Sequence, residues 1–213
     1  MQDEETGTWW QQVSGEAFLG PLKGKHLEPV FWDEVAFEVW KREHPLGVVL
    51  MEDEKYRKHY AAEDWETRIL KRPTVTSRNT KDVLKPRDLV IGIEWSGIAK
   101  AYPFDNLAKQ NPVMDTIGNL PVMLVIESDG KSLRCFDRRI EDQLYDFFLK
   151  PQRTPLTLLD SQSGSEWDFS GKSISGPMKG RTLKRVQVLK DSWFDWKLYH
   201  PLTKVYFQGG LEQ

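Results

Sequence analysis

The sequence has little with which to build a catalytic or metal centre. Its 213 residues contain one cysteine, Cys135, and four histidines. A single cysteine cannot close an internal disulfide, and by itself it cannot supply a thiolate zinc site. A dominant charge is also missing. Thirty Lys and Arg face 32 Asp and Glu, a formal net charge of −2, which gives no electrostatic reason to expect a nucleic acid or an anionic membrane surface as partner. No apolar run approaches the roughly 20 residues needed to span a bilayer. Met1 to Thr8 is acidic and polar and does not read as a signal peptide. The chain is therefore expected to work in the cytosol or to be a processed or truncated piece of an exported protein; its compartment stays open. A Ser-His-Asp signature, a dinucleotide fingerprint and a zincin motif are absent too, and no cofactor or metal is expected.

What the sequence does have is tryptophan and self-similarity. Nine Trp and 39% apolar residues suffice for a substantial core, in one large or two small domains. Ser14 to Leu50 aligns without a gap onto Ser170 to Tyr206, and fourteen of the 37 positions are identical, among them Gly20/Gly176, Pro21/Pro177, Lys23/Lys179, Trp40/Trp196, His44/His200 and Val49/Val205. A one-residue gap upstream adds Asp3/Asp160, Gly7/Gly164 and Trp10/Trp167. A long fixed period of this kind points to a duplicated architecture.

Each copy reads as a short strand (Glu16 to Leu19, Lys172 to Ser175), a Gly-Pro-x-Lys-Gly-Lys/Arg turn and a return strand (Leu27 to Val30, Leu183 to Leu189). A helix follows, Asp33 to Glu43 and Asp191 to Tyr199, with aromatic pairs Phe37/Trp40 and Trp193/Trp196 on one face. Asp33 and Asp191 or Ser192 suit the N-caps, and His44-Pro45 and His200-Pro201 suit the ends. A short strand closes each copy, Val48 to Met51 and Val205 to Phe207. Glu66 to Lys85 reads as a polar connector. Hairpins are expected at Leu89 to Trp95 with Ile98 to Tyr102, and at Val122 to Ile126 with Leu133 to Phe136; Leu144 to Leu149 and Leu156 to Leu159 are further strands. The expected fold is α+β, mostly β, a pseudo-twofold duplicated domain with one short helix per repeat. Residues 1–65 would be the rear half of a first repeat, 66–87 a connector, 88–207 a complete second repeat and 208–213 a tail.

The stretches DEETGTWWQQVSGEAFLGPLKGKHLEPV, WKREHPLGVVL, DLVIGIEWSGIAKAYP, MDTIGNLPVMLV, CFDRRI and SGSEWDF with SGPMKGRTLKRV and WFDWKLYHPLTKVY resemble the uncharacterised prokaryotic family called domain of unknown function 3179. The resemblance implies a tandem of two similar halves and a family often exported. It also implies that the chain covers the C-terminal portion of the pattern and starts after a Cys-containing front segment. In the second half, Ile126 to Gly130 and Ala108 to Asn111 stand where the family's first half carries Tyr-Cys-Pro-Leu-Cys-like and Asn-Trp-His-Glu-like segments. No activity is implied.

The candidate ligand-binding residues are His44, His200, Lys23, Lys179, Asp3 and Asp160, each a matched pair that a cleft between repeats would use. For the histidines a helix-ending role competes with ligation, and for the lysines a plain turn competes with an anion site. Trp9, Trp32, Trp65 and Trp95 have no counterpart and are candidates for an exposed partner surface. Glu127, Asp129 and Asp137 near one hairpin offer a carboxylate pair or a solvated turn, and Cys135 an inert buried thiol. The expected function is a non-catalytic binding or structural module that docks a protein partner or a second copy. The alternative is an enzyme or a small-ligand or carbohydrate binder with a site between the repeats.

Overall fold

The computed structural model describes residues 1–74, 82–151 and 154–207. The chain divides into two compact units, Met1–Asp33 and Glu34–Gln213.

In the first unit, β1 (Trp9–Trp10) pairs antiparallel with β2 (Ala17–Leu19), with a bulge between the two tryptophans. Ala17 and Trp10 are its buried apolar side chains. The expected turn forms after β2: Lys23 donates its N–H to the Gly20 carbonyl at 3.2 Å, and Gly24 donates to Ala17 at 2.8 Å. The expected return strand over Leu27 to Val30 does not form. His26 bridges back to Glu16 and the Leu27 N–H reaches the Gly15 carbonyl at 3.0 Å, but no ladder continues, and Leu27 and Val30 stay exposed.

The second unit opens with α1 (Phe37–Glu43), four residues later than expected. Its N-cap is Ala36, not Asp33. Val35 and Ala36 remain extended because they pack on the core, where the Ala36 N–H reaches Ser132 Oγ at 2.8 Å. The strand expected at Val48 to Met51 is irregular and exposed. A 3-10 turn (Glu54–His59) and α2 (Trp65–Leu70) follow, the latter inside the stretch read as a connector; the rest of that connector from 75 to 81 lies outside the described residues.

The β-rich body then runs β3 (Leu89–Trp95), β4 (Ile98–Pro103), α3 (Phe104–Gln110), β5 (Val113–Ile117), β6 (Leu120–Ile126), β7 (Leu133–Asp137), β8 (Arg139–Ile140), β9 (Gln143–Leu144), β10 (Phe147–Leu149) and β11 (Thr157–Asp160). It closes with β12 (Glu166–Asp168), β13 (Ser173–Ser175), β14 (Arg185–Val186), β15 (Leu189–Ser192), α4 (Trp193–Tyr199) and β16 (Lys204–Val205). Ser192 caps α4, through its backbone position and without a side-chain hydrogen bond. Three four-stranded sheets result, ordered β15-β3-β4-β16, β14-β7-β6-β5 and β10-β11-β12-β13.

Strand alternation builds the layers. Val122, Leu124 and Ile126 of β6 join Ile91, Ile93 and Tyr102 in one cluster. Met123 and Val125 point the other way, to Phe136, Phe147, Leu158, Trp167 and Val39 of α1. Sheet β14-β7-β6-β5 is therefore buried on both faces. On the far side of β3 and β4, Val90 and Ala101 receive Trp193, Trp196 and Val205. Each such side chain contributes about 1.5–3 kcal/mol by leaving water. The seat of α4 depends on Gly92: a Cβ there would lie 2.2 Å from the Trp196 ring. The fold is mostly β with a few short helices, as expected.

Candidate functional site

The aspartate–tryptophan pairs singled out in the sequence are hydrogen-bonded in both units. Trp10 donates its indole N–H to Asp3 Oδ2 at 2.7 Å, and Thr6 Oγ1 bonds both Asp3 and Thr8 Oγ1. In the second unit Trp167 donates to Asp160 Oδ2 at 2.8 Å, and Ser163 Oγ bonds Asp160 and Ser165 Oγ. The following glycine is forced in both places. Gly20 has φ +112° and an added Cβ would lie 2.7 Å from Thr8 Cα; Gly176 has φ +84° and its Cβ would lie 2.6 Å from Ser165 Oγ. Asp3 is held below the usual carboxylate range by the Thr6 N–H first and then by Trp10. Burial pushes Asp160 up, but Trp167 and the N–H of Ser163 outweigh it and the net direction is down. Both carboxylates are thus occupied by their own turns.

His44 and His200 close α1 and α4, each donating its backbone N–H to the tryptophan carbonyl four residues back, at 2.8 and 2.9 Å. Both rings lie on that same tryptophan, with centroids 5.6 and 3.8 Å apart. Burial lowers the His200 pKa, opposed by Glu94 at 3.8 Å from Nδ1. Lys23 and Lys179 are exposed on their turns. Among the described residues no three His, Cys, Asp or Glu gather at metal-ligating distance. Cys135 is buried, and burial pushes its thiol far up, away from reactivity.

Ala108 to Asn111 and Ile126 to Gly130, two segments singled out in the sequence, meet. Asn111 donates its side-chain amide to the Ile126 carbonyl at 2.6 Å and accepts the Ile126 N–H at 2.9 Å. Beside them is a cleft of about 360 Å³, lined by Asn111, Glu127, Ser128, Lys150, Leu156 and Thr157 among others. The Glu127 carboxylate is buried there with its oxygens already engaged. Oε1 accepts from the N–H of Ser128 and of Leu156, and Oε2 from Arg42 at 2.6 Å. Burial pushes its pKa up, but these donors win and the net direction is down. Asp129 ties its own turn to Ser132, and Asp137 pairs with Arg139. The three acids serve separate local bonds and form no carboxylate pair.

Sequence reading passed over two buried ionic groups. Arg134 is 3% exposed and lies bidentate on Glu43 of α1, at 2.6 and 2.7 Å. Lys100 meets Asp115 at 2.8 Å, and the same carboxylate oxygen accepts the Tyr102 hydroxyl. Lys100 and Tyr102 two apart on β4 was the available signal.

Matched positions differ sharply in exposure. Val30 is 79% exposed and Val186 8%; Phe37 is 59% and Trp193 2%; Val49 is 54% and Val205 2%. Leu46, Val48, Leu50 and Met51 are also exposed. Of the four unmatched tryptophans, Trp9, Trp32 and Trp65 are exposed. Trp95 is half-buried, packs against the core, and donates its indole N–H to Asn119 at 3.0 Å.

A family model described as "Protein of unknown function (DUF3179)" matches residues 1–203. The chain belongs to that family. The match takes in the Asp3/Trp10 turn, the Asn111–Ile126 meeting point and both His-Pro ends. No curated protein and no solved structure matches the chain. No helix among the described residues is long and apolar enough to cross a membrane.

Proposed function

We propose that this DUF3179 chain is a non-catalytic docking module, made of two copies of one unit, whose first copy presents a face for a protein partner. The observation that carries this is the exposure contrast at matched positions. Val186, Trp193 and Val205 of the second copy are buried against β7, β3 and β4. Phe37 and Val49 in the second compact unit are exposed, as are Leu46, Val48, Leu50 and Met51 next to Val49 in the chain, and Val30 in the first compact unit is exposed in its own right. A cluster of exposed apolar side chains along one segment, Leu46 to Met51, suits an interaction site. The recurring Asp-Thr/Ser-Trp hydrogen bonds, Gly-Pro turns and His-ended helices support the two-copy reading. Trp9, Trp32 and Trp65 add exposed aromatics, which are favoured at interfaces. A second copy of the chain is the other occupant in view.

A catalytic reading has less support. The Glu127 cleft is the natural place for one, yet its carboxylate oxygens are committed to Arg42 and to two backbone amides.

Native mass spectrometry of the protein from its own source tests the proposal. A stoichiometric partner or a dimer that Val49→Lys removes is expected. A bare monomer at micromolar concentration, unchanged by Val49→Lys, would sink the docking reading. Val49→Lys leaves the stability of the isolated chain within about 0.5 kcal/mol, as a surface change does, whereas Val205→Lys costs more than about 3 kcal/mol.

A further inference from the structure

β1 and β2 of the first unit meet at a bulge. Trp9 stands opposite Leu19 and Trp10 opposite Ala17, so Phe18 is the extra residue. A bulge of this kind sets two side chains against one on the same face. Trp10 and Ala17 are buried, whereas Trp9, Phe18 and Leu19 are all exposed on the outer face. The second unit builds the same bulge between β12 and β13, where Glu166 stands opposite Ser175 and Ile174 is the extra residue. The bulge therefore requires neither Trp9 nor Leu19, and folding gives no reason for an aromatic there. The trio lies inside its small sheet, since Gln2 bridges to Trp9 on one side and His26 to Glu16 on the other. The outer face of the second unit is open in the same way with four strands in place: Phe148 of β10 and Ile174 of β13 are both exposed.

Charge separates the two faces as well. By strand alternation Glu16 shares the outer face with Phe18, and its counterpart in the second unit is Lys172. Glu4, Glu5 and Glu28 likewise stand where the second unit has Ser161, Gln162 and Lys184. Met1–Asp33 as a whole carries six carboxylates against two lysines. The geometry points to the Trp9, Phe18 and Leu19 face as the docking site of a basic protein surface. Such a partner lays an arginine on the Trp9 indole, an aliphatic side chain on Phe18 and Leu19, and a second cation beside Glu16. The assignment rests on the docking reading and names the chemistry of the partner. An indole face attracts a guanidinium, and the surrounding carboxylates select for it. Phe18 and Leu19 offer a sugar no hydrogen bond, and the carboxylates repel an anionic membrane.

The probe is the capped peptide Arg-Leu-Arg-Leu-Arg, added to the full ¹⁵N-labelled chain while the Trp9 indole and Phe18 backbone N–H resonances are followed. Saturable movement of both is expected, and raising salt should weaken it. The peptide Glu-Leu-Glu-Leu-Glu should bind about tenfold more weakly or not at all. Trp9→Glu with Leu19→Ser places the second unit's residues in the same bulge and should weaken binding about tenfold or more. An unchanged Trp10 indole resonance in that variant shows the unit folded. Glu16→Lys should weaken binding severalfold. Unmoved Trp9 and Phe18 resonances, equal binding by the acidic peptide, or full binding by the double variant would overturn the inference. So would movement with cellohexaose or phosphatidylcholine vesicles and not with the basic peptide, which would assign the face to a sugar or a membrane. Movement with protein concentration alone also overturns it, because the occupant is then a second copy. A partner seen by native mass spectrometry that survives Trp9→Glu with Leu19→Ser leaves docking standing and removes this face. A Trp9 response in a chain that is otherwise a bare monomer supports this face and removes docking at Val49.

Discussion

Trp167 donates its indole N–H to Asp160 at 2.8 Å, where Trp167 is fully buried and Asp160 is 2% exposed. The aspartate also accepts from the Ser163 N–H and hydroxyl. One carboxylate therefore satisfies several donors in a dry place, and its removal strands all of them. Asp160→Ala is expected to destabilise the second unit by about 3 kcal/mol, and Asp160→Asn by less. Urea unfolding followed by tryptophan fluorescence measures both; an Asp160→Ala cost under 1 kcal/mol would show the bond to be dispensable.

The close approach of α4 to β3 makes Gly92 a sharp test of packing. A methyl there meets the Trp196 ring at 2.2 Å. Gly92→Ala should cost about 3 kcal/mol from overpacking, and Gly92→Ala combined with Trp196→Leu should recover part of it. Thermal melts of the two variants decide; equal melting temperatures for Gly92→Ala and the parent would disprove the seat.

Glu43 neutralises a guanidinium that is 3% exposed. Glu43→Ala leaves Arg134 charged and buried, with an expected loss of about 3–5 kcal/mol. The double variant Glu43→Ala, Arg134→Met removes the stranded charge and should regain most of that. A double-mutant cycle by chemical denaturation reads the coupling, and additive losses would argue against the pair.

Burial pushes the Asp191 carboxyl up to about 6, and the nearby Asp195 adds to it against the Ser192 N–H. A raised carboxyl binds a proton in the folded state that the unfolded chain has already released near its ordinary value of 3.8. Stability therefore falls as pH rises from about 4 to about 6 and levels off above that. Asp191→Asn should remove this slope. At pH 7 it should stabilise by about 1 kcal/mol, a figure reduced because the carboxyl is half exposed; at pH 4 it should change nothing. Denaturation midpoints at the two pH values settle it, and an equal gain at both would reject the assignment.

Local chemistry makes much of this chain legible from its residues alone. Gly-Pro-x-Lys-Gly dictates a turn wherever it stands, because Pro presets φ and Gly takes a positive one. The Leu89 to Tyr102 hairpin followed from alternation around Ser96-Gly97, and the His-Pro pairs ended both helices as dipole and proline rules require. The matched Asp and Trp were visible as a pattern, although not as a hydrogen bond, since the six residues between them have to fold back first. Several elements went unread, among them α2, α3, β1, β5 and β12; for α3 and β5, Phe104 to Ile117 alternates too weakly for either period, and only their packing against β3, β4 and β6 selects them.

Tertiary structure alone decided the fate of matched segments. Lys204–Val205 and Val48 to Met51 hold matched places in the sequence, yet only the former is a strand, because β4 offers it a parallel edge. The same holds for Leu27 to Val30 against Arg185–Val186, which β7 receives. A strand is a property of a pair, and a sequence carries only one member of it. Helix starts show the same limit: Asp33 has the side chain of a cap, but Val35 and Ala36 are held extended by the core and by Ser132, so α1 begins at Phe37. By itself the sequence determined turns, periodicities and the matched positions, which depend on neighbours in the chain. Burial, ion pairing and the open face depend on neighbours in space, and those exist only once the sheets have stacked.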